Sequence, residues 1–183
     1  WTADALEEAR EAGKPILLSV GYAACHWCHV MAHESFEDPR IAEVMNRYFV
    51  NIKVDREERP EIDQIYMASL SAMGEQGGWP LTMFLDSEAK PFWGGTYFPP
   101  EQRYGRPGFP QILEAVHEAW QNKRSELSKS AGALSAHVKA QLASDRGNPV
   151  SPRATLESLS TRIYSMIDKD LGGLRGAPKF PNA

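Results

Sequence analysis

Cysteine is nearly absent from this chain: of 183 residues only Cys25 and Cys28 are cysteines. That scarcity excludes a small domain stapled by several disulfides. The close pair instead fits a functional dithiol in a reducing compartment, and the cytoplasm is the expected location. No run of eighteen apolar residues occurs and no charged-then-apolar leader opens the sequence, so neither a membrane span nor a signal peptide is expected. The abrupt start at Trp1 leads us to expect an upstream segment. A basic stripe is also missing, and with a net charge of −4 and a pI near 5.8 neither nucleic acid nor an anionic membrane surface is expected as the main partner. Internal repeats and low-complexity tracts are absent too. What remains is a 42% hydrophobic composition, enough for a real core and for one full domain with some chain left over.

The two cysteines lie in Gly21-Tyr22-Ala23-Ala24-Cys25-His26-Trp27-Cys28-His29, directly after the apolar run Pro15-Ile16-Leu17-Leu18-Ser19-Val20. If a helix starts at Cys25, its thiol sits among unpaired backbone N–H groups at the positive end of the helix dipole, which favours the thiolate. Cys28, one turn on, can then attack a mixed disulfide formed at Cys25. Cys25 is thus assigned as nucleophile and Cys28 as resolver. The same letters also match a c-type haem attachment motif, and Cys25, Cys28, His29 and His33 could be drawn as four zinc ligands. A structural disulfide or two inert thiols is the plain alternative. The strand expected immediately before the pair favours the redox dithiol, with no metal and no cofactor.

Along the chain, Thr2 to Ala12 reads as an amphipathic helix ended by Gly13 and Pro15. Ile16 to Tyr22 reads as a central strand covered on both faces. From Cys25 the pattern is helical to about Glu34. Asp38 and Pro39 cap a second helix, Arg40 to Tyr48. Phe49 to Asp55 alternates as a strand, Arg56 to Pro60 reads as a solvated charged loop, and Glu61 to Met73 as a helix. Gly74 to Pro80 is a turn whose Trp79-Pro80 bond is a candidate for the cis form. Leu81 to Leu85 and Pro91 to Thr96 form a hairpin, followed by the Pro/Gly/aromatic loop Tyr97 to Gly108. Phe109 to about Leu142 reads as one helix in which His117 is an ordinary member, as is His137. Ser144 to Pro152 has linker composition, and Ala154 to Lys169 is helical.

This order of elements resembles a thioredoxin fold, in which the proline opening the hairpin, here Pro80, corresponds to the cis-proline facing the dithiol. More narrowly, several short blocks resemble the N-terminal thioredoxin-like domain of the spermatogenesis-associated protein 20 family. They are Trp1, Gly13-Lys14-Pro15, Cys25-His26-Trp27-Cys28-His29-Val30-Met31, Glu34-Ser35-Phe36, Val54 to Pro60, Gly77-Gly78-Trp79-Pro80 and Gly94 to Pro99, and the glycine- and proline-rich stretch Gly172 to Pro181 resembles the start of the helical toroid that follows in that family. The resemblance implies an α/β thioredoxin-like fold, a central mixed β-sheet with helices on both faces, over residues 1–142. It further implies a linker at 143–152 and, from 153 to 183, the start of a C-terminal helical toroid, so that the C-terminal domain of the same chain becomes an expected partner.

The implied activity is thiol–disulfide oxidoreduction on a protein or small-thiol disulfide. In it Cys25, Cys28, His26 and Pro80 carry the reaction, while Trp27, Gly78, Trp79, Tyr97 and Phe98 bind the substrate. One departure bears on mechanism: the buried acid that thioredoxins carry six residues before the motif is Ser19 here. His29 and His33 are the candidates to move the proton in its place, and His26 between the cysteines favours a more oxidising pair. The alternative is a non-catalytic interaction domain that docks on the toroid, which a buried Cys25 would favour.

Overall fold

Ile16 to Gly21 has no residue that faces water, and the computed structural model, which describes residues 1–103, 105, 107–143, 152–169 and 172–175, puts this stretch inside a four-stranded sheet. Strand β1 (Ile16–Gly21) pairs in parallel with β2 (Val50–Asp55) and antiparallel with β3 (Leu81–Leu85), and β3 pairs antiparallel with β4 (Pro91–Gly95). The order is β2-β1-β3-β4, a mixed sheet. Alternation along β1 explains why the whole run is apolar: Ile16, Leu18 and Val20 enter one core and Leu17 the other.

The first core lies under α1 (Ala3–Ala12) and α4 (Pro60–Ala72), with Ala9, Ile62, Tyr66 and Leu70 against Val50, Ile52, Val54 and Met83. The second lies under α2 (His26–Met31), α3 (Pro39–Tyr48) and α5 (Phe109–Asn122), with Met31, Ile41, Phe84, Phe109 and Leu113 at its centre. Thr2 caps α1 and Gly13 closes it at φ +64°, a left-handed turn that favours glycine. Asp38 caps α3, and its hydrogen bonds with Arg40 hold its carboxyl down to about 2. Between α2 and α3 the chain widens into one π-helical segment, Ala32–Phe36, before the proline stop.

Two expectations need correction. The helix read from Phe109 to about Leu142 is two helices, α5 and α6 (Arg124–Leu142), broken at Lys123 (φ −131°, ψ 25°). The reason lies in layers: α5 packs against α3 on one face, whereas α6 packs against α4 and β4. A straight helix cannot serve both, so the chain turns around the β4 edge there. Trp120 marks the corner, donating its indole N–H to the Gly13 carbonyl at 2.9 Å under the Arg124 guanidinium. The second correction concerns the charged loop. Glu57, Glu58 and Arg59 are exposed, but Arg56 folds inward, over two aromatic rings and beside a buried carboxylate.

Residues 1–143 form one unit, the thioredoxin-like α/β arrangement of a mixed sheet between two helical layers. The second unit, 144–183, is described at α7 (Pro152–Met166) and at a short antiparallel bridge between Ile167 and Leu174. Most of the linker expected at 143–152, and residues 176–183, lie outside the described residues.

Candidate functional site

Antiparallel register assembles the site. Val20 stands opposite Leu81 and Ser19 opposite Thr82, whose hydroxyl lies against Met31 on the α2 side, and Gly21 at the end of β1 turns to that same side. Gly21 is required there: a Cβ on it would lie 2.8 Å from Cys28 Sγ, so the sulfur rests on the bare backbone. The Trp79–Pro80 bond is cis and Pro80 is buried. Ser19, where the acid is missing, is also buried on this side of β1.

Cys25 occupies the N-cap of α2, where Ser, Thr, Asp or Asn is usual. Its Sγ accepts the Cys28 N–H at 3.2 Å, its carbonyl accepts from His29, and its own N–H donates to the Tyr22 carbonyl at 3.1 Å. The two sulfurs are joined in a disulfide. Cys25 is 3% exposed and Cys28 8%, so the bond is sheltered rather than presented. Trp27, in contrast, is 54% exposed, its ring against His26 at 5.7 Å and Tyr97 at 5.1 Å.

The remaining candidates divide. His29 Nε2–H donates to the Ala23 carbonyl at 2.8 Å, fastening the loop that leads into Cys25. His33 pairs with Glu37 on the exposed side of the helical segment. The four ligands of the zinc reading are therefore occupied separately, and among the described residues no three His, Cys, Asp or Glu side chains are grouped to hold a metal ion. Trp27, Gly78, Trp79, Tyr97 and Phe98 line one groove of about 650 Å³. The Phe98 ring stacks on Trp93 and Phe109. Tyr97 donates its hydroxyl to the Glu34 carboxylate, and burial together with that bond pushes its phenol up to about 12.

Sequence reasoning missed a second cluster, on the other side of the same sheet end. Asp63, 6% exposed, accepts the Trp79 indole N–H at 2.7 Å and the Arg56 Nε–H at 3.2 Å. The Arg56 guanidinium lies 4.0 Å from the Trp79 ring centroid and 5.7 Å from that of Tyr22, and the two rings meet edge to face. The available signal was an acid set between the core positions Ile62 and Tyr66 of a helix. Such a residue needs a partner to be buried.

The family model Thioredox_DsbH, described as protein of unknown function, DUF255, matches residues 1–139. The uncharacterized protein B0495.5 of Caenorhabditis elegans is 43% identical over the whole chain, and human spermatogenesis-associated protein 20 is 41% identical over 99% of it. The chain spans about a quarter of the length of these relatives. Among solved structures, a DsbH oxidoreductase aligns with 66% of this chain and 82% of its own at 22% identity and a TM-score of 0.47. A disulphide isomerase from Xylella fastidiosa Temecula1 aligns with 65% of this chain and 87% of its own at 18% identity and a TM-score of 0.46.

Proposed function

We propose, from the premise that this chain belongs to the Thioredox_DsbH family, that residues 1–142 are a thiol–disulfide oxidoreductase domain working through Cys25 and Cys28. The observation that carries the reading is a closed disulfide at a helix N-terminus, with a backbone N–H directed at the Cys25 sulfur. In the reduced form that N–H stabilises a Cys25 thiolate. The thiolate attacks one sulfur of a substrate disulfide, one substrate thiolate leaves and takes a proton, and Cys25 is left in a mixed disulfide. Cys28 then attacks Cys25 Sγ and expels the second substrate thiolate, so the substrate gains two electrons and the domain loses them. His26 beside the nucleophile favours its thiolate, His29 rather than the exposed, Glu37-paired His33 is the group to move the protons, and Gly78, Trp79 and Pro80 offer backbone to an extended substrate. The single dithiol favours the cytoplasm as its compartment. The greater length of the relatives supports a C-terminal domain of the same polypeptide as a partner.

The test is equilibration of the chain in glutathione buffers, read by tryptophan fluorescence, with Cys25→Ser as control. A defined reduction potential in the wild type and none in the variant is the expected result. Failure of the wild type to form the disulfide at any ratio sinks the reading. One observation favours a second reading, a non-catalytic docking domain: both sulfurs are sheltered. Iodoacetamide separates the two. A catalytic Cys25 in the reduced chain is alkylated faster than free cysteine at neutral pH, whereas a docking domain's thiol resists.

A further inference from the structure

Trp79 belongs to two environments at once. It lines the groove of about 650 Å³ that also holds Trp27, and its indole N–H reaches a residue outside that lining, Asp63, at 2.7 Å. Just before it come Gly77 and Gly78, which have no side chain to anchor their backbone. Trp79 is therefore the anchor of this stretch, and its hold depends on what grips the indole. Asp63 takes one donor on each oxygen, the Trp79 N–H on Oδ1 and the Arg56 Nε–H on Oδ2. The Arg56 guanidinium covers the Trp79 ring at 4.0 Å from its centroid, so the indole is gripped at its edge and on its face. Arg56 is itself fastened to β1: its backbone N–H donates to the Gly21 carbonyl at 2.9 Å, and Gly21 is the residue on which Cys28 Sγ rests. The same guanidinium lies over Tyr22, whose carbonyl accepts the Cys25 N–H. One arginine thus ties the Trp79 anchor to the chain that leads into the dithiol.

We propose that Asp63 and Arg56 are positioning residues of the oxidoreductase, holding Trp79 so that the backbone at Gly78 and Trp79 is set for an extended polypeptide disulfide. The proposal rests on the oxidoreductase reading and deepens it at the point where the substrate chain is held. Neither residue exchanges electrons or protons with the substrate. Backbone pairing with an extended chain needs the receiving stretch already in place, because ordering it on arrival costs affinity. A disulfide that has no peptide group uses the dithiol but not this backbone. Its rate therefore reports the dithiol alone.

The experiment gives the reduced chain two probes: bis(2-hydroxyethyl) disulfide, and a linear peptide whose single cysteine carries the same hydroxyethyl thiol in disulfide linkage. In both, Cys25 and Cys28 are oxidised to their disulfide and the probe is reduced to two thiols. The quantity read is the ratio of rate constants, peptide over small disulfide, which cancels any change in the dithiol itself. Asp63→Asn keeps the shape of the side chain but offers one acceptor oxygen to two donors. It should lower the ratio about tenfold, the scale of one charge-assisted hydrogen bond. Trp79→Phe keeps a ring under Arg56 and lacks the N–H, and it should lower the ratio similarly. Asp63→Asn added to Trp79→Phe should lower it no further, because Asp63 acts through that N–H. A ratio within about twofold of wild type in either single variant, or losses that multiply in the double variant, overturns the positioning proposal and leaves the oxidoreductase reading intact. If Asp63→Asn does not fold, Trp79→Phe decides alone. A wild-type chain inert towards both probes overturns both readings.

Discussion

The two sides of the sheet end at Gly21 and Pro80 are built on opposite principles. On the α2 side a disulfide rests on a glycine, an exposed tryptophan stands beside it and grooves lie open. On the α4 side a buried carboxylate accepts from two donors beside two rings set edge to face. The strands link them: Gly21 faces the Cys28 sulfur while its neighbour Tyr22 lies under Arg56, and Trp79, joined to Pro80 by the cis bond, donates to Asp63. The closed side therefore fixes the backbone beneath the open one. A site that must admit a substrate cannot also be tightly packed, and here its precision is supplied from across the sheet.

The sharpest way to break that comparison is Asp63→Ala. It leaves the Trp79 N–H and a half-buried guanidinium without their acceptor, and a loss of about 2–3 kcal/mol in urea unfolding is expected. The Trp79 indole proton should move upfield in the NMR spectrum while Trp27 stays. If the dithiol's reduction potential is unchanged in Asp63→Ala, the closed side does not set the open one. Gly21→Ala attacks from the other direction. Its new methyl meets Cys28 Sγ at 2.8 Å, so the α2 terminus must shift, at about 1–2 kcal/mol. In this variant the Trp27 indole resonance should move and that of Trp79 should not.

The open side was far more legible in the sequence than the closed one. Cys25, Cys28 and Pro80 are types with few alternative uses at those positions, and the apolar run from Ile16 told which strand is central. Arg56 and Asp63 are seven residues apart in a charged stretch, where solvation is the ordinary outcome. Only the crossing of β1, β2 and β3 brings them to Trp79, sixteen residues beyond Asp63. The break at Lys123 was hidden for a different reason. Neither glycine nor proline marks it, and helical periodicity says which residues share a face but not that the face must change layers. The shelter of Cys25 is likewise a property of packing around α2 that spacing does not encode.

The smallest effect tests the two sides by alkaline titration. Tyr66 on the α4 side and Tyr97 on the α2 side both have phenols raised above the ordinary value of 10.0, each chiefly by burial. Asp86 adds to the first and the hydrogen bond to Glu34 to the second. A raised phenol means the fold favours the neutral form. Its contribution is complete below the unfolded value near 10 and is lost as pH rises through it towards the folded one. For Tyr97 that window runs from about 10 to about 12. For Tyr66, more deeply buried and donating to the Ala89 carbonyl at 2.9 Å, the loss continues further. Tyr66→Phe should therefore flatten the alkaline limb of stability more than Tyr97→Phe, whose effect stays well under about 1 kcal/mol because water reaches its phenol. Ultraviolet absorbance at high pH distinguishes the two directly. A Tyr97 that ionises at the value of a free phenol would mean that the bond to Glu34 is not held in solution, and the open side would then lose the group that orients its carboxylate.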